Sequence, residues 1–180
     1  MADLKQQQTN LPCVTLIGMA GAGKSTVGLV LAARLGWGHV DTDYIIEAHY
    51  GRPLQDVFDG LGREVFLRVE ERLIAGLGLK RCIVSTGGSV IYGPTAIARL
   101  KELGPVIHLY ADLESVTRRV ADAKGRGLAI APGQTIADLY YERLPLYQAV
   151  AQLTVDSGAT SPEACAQAIE HWLAEQGYTA

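Results

Sequence analysis

The sequence is poor in cysteine, has a single asparagine, contains no long apolar run and carries no excess of basic charge. The cysteines Cys13, Cys82 and Cys165 are odd in number and widely spaced, which excludes a disulfide framework and a zinc pattern. Cys13 and Cys82 open apolar runs and read as buried thiols, which suits a reducing, cytoplasmic setting. The histidines, His39, His49, His108 and His171, have no ligand spacing and read as structural. No run approaches the ~18 apolar residues of a bilayer span, so no membrane partner is expected. The opening MADLKQQQTNLP has no apolar h-region; residues 1–11 read as a flexible lead, not a secretory signal. A net charge of -3 without a basic stripe argues against a nucleic-acid partner. The lone asparagine, Asn10, precedes the first strand, so the Asn-Lys-x-Asp pattern common in guanine-specific switches is absent.

What is present is globular. Hydrophobic residues make up 48% and charged residues 19% of 180, enough for one domain with a sizeable core over residues 12–180. Short apolar runs at Cys13–Ile17, His39–Thr42, Cys82–Ser85, Pro105–Tyr110 and Leu153–Asp156 alternate with helical patterns. That alternation implies an α/β fold whose parallel sheet is covered on both faces. Helical patterns cover Tyr44–Tyr50, Leu54–Phe58, Arg63–Leu77, Pro94–Leu103, Leu113–Ala123 and Ile136–Val150. Ser161-Pro162-Glu163 signals a further helix start, running to about Glu175.

Gly18-Met-Ala-Gly21-Ala22-Gly23-Lys24-Ser25 fits Gly-x-x-x-x-Gly-Lys-Ser/Thr after a strand and before a helix. The glycines let amide N–H groups turn inward around an anion, and the following helix aims its positive end at the same place. Lys24 then reaches the β- and γ-phosphates of a nucleotide and Ser25 ligates Mg²⁺. Asp41-Thr42-Asp43 stands at the end of the second strand, where strand alternation puts both carboxylates on one side. One can hold the metal while the other orients an acceptor hydroxyl; a turn with a helix N-cap is the plainer alternative.

Together with Phe66, Glu70-Glu71, Ser85-Thr86-Gly87-Gly88, Arg126 and Arg143-x-Pro145-x-Tyr147, these motifs resemble the shikimate kinases from about Val14 to Leu173. The resemblance implies a five-stranded parallel sheet in a nucleoside-monophosphate-kinase-like P-loop fold, using ATP and Mg²⁺, with a lid at about 124–134. It implies that Gly18, Gly21, Ala22, Gly23, Lys24, Ser25 and Thr26 bind the nucleotide and that Arg119 stacks on adenine. Ser25 and Asp41 would serve the metal. Lys24, Asp43 and Arg126 would be catalytic, with Arg126 reaching the transferring phosphoryl from the lid. Asp43, Gly87, Gly88 and Arg143 would bind the acceptor, Arg143 through its carboxylate. A monomer is expected.

Three positions depart from the family pattern. Leu67 stands where an arginine helps clamp the shikimate carboxylate, Ser89 replaces a third pocket glycine, and Gly127 replaces a proline after the lid arginine. Losing a guanidinium removes a charge-assisted contact of the ~2–5 kcal/mol class. The expected reaction is therefore transfer of the γ-phosphoryl group to a small carboxylate-bearing metabolite of amino-acid biosynthesis. Homoserine is favoured as the acceptor, because an ammonium tolerates the missing arginine; shikimate is the alternative, with Arg63 reaching in from one turn before Leu67. A non-catalytic nucleotide-binding regulator is the minor alternative.

Overall fold

The computed structural model describes residues 12–122, 130 and 133–178. The N-terminal lead 1–11 and most of the lid segment, Arg126 and Gly127 included, lie outside the described residues.

Strands β1 (Val14–Ile17), β2 (Gly38–Asp41), β3 (Cys82–Ser85), β4 (Val106–Tyr110) and β5 (Leu153–Asp156) form one sheet in the order β2-β3-β1-β4-β5. Every pairing is parallel. The central strands β1 and β3 are buried at every position, as expected for strands covered on both faces. The β2 sequence, Gly-His-Val-Asp, is more polar and stands at the edge. Helices are α1 (Lys24–Leu35), α2 (Thr42–Tyr50), α3 (Leu54–Ala75), α4 (Pro94–Leu103), α5 (Leu113–Asp122), α6 (Ile136–Val150) and α7 (Pro162–Glu175). Helix α1 packs on α7, and α3 on α4. A 3-10 turn, Gly88–Tyr92, follows β3.

Two boundaries differ from the sequence expectation in ways that matter. The second strand ends at Asp41, and Thr42 already opens α2. The two helical patterns at Leu54–Phe58 and Arg63–Leu77 are one broken helix, α3. Its break is Gly62, at φ 72 and ψ 161, a conformation that side-chain-bearing residues rarely adopt. A second small apolar cluster of Ile46, Val57 and Phe66, flanked by Leu67, ties α2 to α3 beside the main core. All the carboxyl ends of the parallel strands open on one side, where ligands of such sheets bind.

Candidate active site

The turn after β1 is built on left-handed glycines, Gly21 at φ 80 and Gly23 at φ 85, with Gly18 also at positive φ. Gly23 is the N-cap of α1, so the helix starts at Lys24 with its first amides directed into the loop. Lys24 is 8% exposed, and its ammonium donates to the carbonyls of Gly18 at 2.9 Å and Met19 at 2.8 Å. Ala22 is buried under the loop, while Thr26 is exposed on the first turn of α1. Arg119 on α5 donates to the Gly21 carbonyl and to the carbonyls of Ser157 and Gly158, which ties the loop to the turn after β5.

Asp41 ends β2 beside this loop. Its Oδ2 accepts from the Ser25 hydroxyl at 2.5 Å, and its Oδ1 accepts from the Asp43 N–H at 3.0 Å. The acidic pair therefore comes together through a helix cap, not through alternation along an extended strand. The helix-cap reading of the pair is seen directly; the cap uses Asp41 Oδ1 and leaves Oδ2 toward Ser25. Among the described residues no three His, Cys, Asp or Glu side chains converge. A hard cation here would take Ser25, Asp41 and oxygens supplied by phosphate, which suits Mg²⁺.

The acceptor side is formed where β3 ends. The Gly87 N–H donates to the Thr42 hydroxyl at 3.1 Å. A Cβ on Gly87 would lie 2.5 Å from Glu70 Oε1 and 2.7 Å from Asp43 Oδ1, so only glycine lets both carboxylates close on this point. A Cβ on Gly88 would meet Arg143 Nη1 at 3.0 Å. Arg143, 2% exposed on α6, donates through Nε to the Tyr92 hydroxyl at 3.1 Å. Tyr147, one turn further along α6, donates to the Gly88 carbonyl at 2.6 Å. Burial pushes the Glu70 carboxyl up to about 7; a hydrogen bond from Ser89 opposes the rise, Asp43 adds to it, and the charges of Arg143 and Lys24 oppose it. Glu70 Oε1 has no hydrogen-bond partner. Burial also lowers His108 to about 4, helped by the Lys24 charge, so its ring is neutral where it stacks on Tyr147.

One cavity joins these groups. Gly21, Gly23, Lys24, Ser25 and Asp41 line it beside the glycine loop, and Asp43, Gly87, Gly88, Ser89 and Arg143 line it beyond the end of β3. The sequence reading is corrected at Leu67. That residue is not part of the cavity lining; it packs with the Ile46, Val57 and Phe66 cluster. The sequence reading assigned no role to Tyr44, Glu47, Leu54, Phe58 and Thr86, which also line the cavity. Leu54 and Phe58 carried one usable signal, an i, i+4 apolar pair on a helix just after the acidic motif.

A phosphate loop, a cation-ready hydroxyl–carboxylate pair, an acceptor-facing aspartate and a buried arginine, all in one cavity, fit phosphoryl transfer to an anionic small molecule. A family model described as shikimate kinase matches residues 20–174. A shikimate kinase of Pelotomaculum thermopropionicum is 36% identical over 168 residues, 92% of this chain and 97% of the relative. One of Enterococcus faecalis is 34% identical over 153 residues, 83% of this chain and 91% of the relative. Among solved structures, a shikimate kinase from Acinetobacter baumannii in complex with shikimate superposes with a TM-score of 0.83 at 33% identity, covering 92% of this chain and 94% of that one. A shikimate kinase from Bacteroides thetaiotaomicron, at 22% identity and a TM-score of 0.77, shares the fold.

Proposed function

Because the chain belongs to the shikimate kinase family, an ATP- and Mg²⁺-dependent class of phosphotransferases acting on a hydroxyl, we propose that it phosphorylates a hydroxyl of shikimate. The observation that carries the reading is the single cavity that runs from the Lys24 loop to the buried Arg143. The relatives support shikimate as the acceptor.

Phosphoryl transfer needs positioning and charge stabilisation more than covalent chemistry from the protein. Loop amides and Lys24 bind the β- and γ-phosphates. Ser25 and Asp41 would hold the metal, which would supply charge neutralisation at the phosphate oxygens. Asp43 accepts the hydrogen bond of the acceptor hydroxyl and takes its proton as the new P–O bond forms and the bond to the leaving ADP oxygen breaks. Arg143 binds the acceptor carboxylate, and the backbone of Gly87 and Gly88 lets the acceptor approach. Arg119 borders the loop from α5, where its guanidinium serves the adenine side. Arg126 keeps the phosphoryl-stabilising role that the family resemblance gives it.

Homoserine, which the sequence favoured, has no support among these relatives, and Leu67, on which the preference rested, packs outside the cavity. One observation keeps homoserine as a second reading. Glu70 presents a buried carboxylate oxygen without a partner beside Asp43, and an ammonium group would complete it. The deciding experiment is a coupled ATP-consumption assay with Mg²⁺ and either shikimate or homoserine. Turnover on shikimate supports the first reading. Turnover on homoserine alone replaces it with the second, and ATP binding without turnover on either removes both.

A further inference from the structure

Arg63 is the first residue after the break in α3 at Gly62. From there Arg63, Phe66 and Glu70 stand at i, i+3 and i+7, one face of the helix. Phe66 lines the cavity, and the Glu70 carboxylate meets Gly87 at the cavity wall. Leu67, further round the helix, turns into the second apolar cluster. Arg63 therefore sits one turn beyond the cavity on the face that lines it.

Its guanidinium lies 5.2 Å from the centroid of the Tyr92 ring, and that of Arg143 lies 5.1 Å from the same centroid. Two cations on one ring repel each other, and a shared anion relieves that repulsion. Glu142 supplies part of the relief: the Tyr92 hydroxyl donates to it at 2.6 Å, and both arginine charges help hold its carboxyl below the usual range after the Tyr92 and Gln134 hydrogen bonds. One oxygen of Glu142 is taken by Tyr92 and the other by Gln134. Arg63 Nε is buried and has no hydrogen-bond partner. A buried guanidinium nitrogen without a partner calls for an acceptor that the protein itself does not provide.

We propose that Arg63 is a second ligand for the acceptor's carboxylate, acting together with Arg143 beside the Tyr92 ring. The proposal rests on the reading that the acceptor carries a carboxylate. A carboxylate has two oxygens and can take charge-assisted bonds from two guanidinium groups at once. Arg63 thereby supplies, from one turn earlier on α3, the positive charge that Leu67 does not.

The test uses the full chain and whichever of shikimate or homoserine turns over, beside the same molecule with its carboxylate converted to an amide. In Arg63→Ala the acceptor KM should rise about 10-fold or more, the scale of a lost charge-assisted hydrogen bond. The turnover number and the KM for ATP should stay close to wild type, and the amide's KM should not differ between wild type and variant. Arg63→Lys should recover part of the loss, and matching melting curves would separate the effect from misfolding. A variant that shifts both KM values, the turnover number and the amide alike marks Arg63 as a structural staple and overturns the proposal. So does a variant that retains the wild-type preference for carboxylate over amide. If wild type shows no such preference, or neither acceptor turns over, the carboxylate reading falls and the role of Arg63 with it.

Discussion

Replacing Glu70 with glutamine tests the electrostatics at the centre of the cavity. Glu70 is 2% exposed, and burial raises its carboxyl from 4.5 to about 7, with Asp43 adding to the rise. In the folded chain the group keeps its proton to higher pH than in the unfolded chain. Its contribution to stability is therefore fully present below pH 4.5 and is lost as pH rises through about 7. At 1.36 kcal/mol per unit the shift corresponds to an upper bound of about 3 kcal/mol. Glutamine keeps the shape and cannot ionise. Glu70→Gln should therefore match wild type near the bottom of this window and exceed it by about 2–3 kcal/mol above the top. His108 pulls the other way in part of the same range, because its lowered value costs stability as pH falls. The quantity to read is thus the wild-type-minus-variant difference, in which His108 cancels. Urea unfolding followed by tryptophan fluorescence, repeated from about pH 4 to about pH 8, gives that difference directly. A difference that stays flat across the window, or that favours wild type as pH rises, refutes the argument that burial outweighs the Ser89 hydrogen bond and the Arg143 and Lys24 charges at Glu70.

Lys24→Ala should lower turnover about 100- to 1,000-fold while circular dichroism shows an unchanged fold, since its ammonium donates to the loop carbonyls of Gly18 and Met19; near-wild-type turnover would remove Lys24 from the mechanism. Gly87→Ala forces a Cβ against Glu70 and Asp43, and should cut kcat/KM for the acceptor about 10- to 100-fold with the KM for ATP little changed; steady-state kinetics in both substrates read the split. His108→Phe keeps a ring on Tyr147 and removes the titration. Because His108 is lowered from 6.5 to about 4, wild type should lose stability as pH falls through that range, and the variant should lose less; acid unfolding curves of the two chains check it.

Much of the fold was legible in the sequence. Val14–Ile17 and Cys82–Ser85 are short apolar runs without polar alternation, and such runs are what strands buried on both faces require. The phosphate loop was legible residue by residue, because its function depends on local backbone freedom at Gly21 and Gly23 and on the helix that follows. Ser161-Pro162 marked the start of α7 because capping is a local hydrogen bond, here from Ala164 N–H to the Ser161 hydroxyl. The acidic pair was found for a partly wrong reason. Asp41 and Asp43 are brought together by a helix cap that begins one residue earlier than the strand pattern suggested.

The sequence by itself determined what depends on near neighbours in the chain: the glycine loop with the helix that follows it, the order of strands and helices along the chain, and the family. Only the tertiary structure decided the acceptor pocket. Leu67 turned out to face an apolar cluster, Arg63 came to rest over Tyr92 from a helix broken at Gly62, and one carboxylate oxygen of Glu70 was left without a hydrogen bond beside Gly87. Those outcomes depend on groups from α2, α3, α6 and the end of β3, distant in sequence and brought together by packing. Periodicity says that a helical residue faces inward, but the direction of a side chain around a kinked helix, and the charges it meets there, follow only from the packed whole.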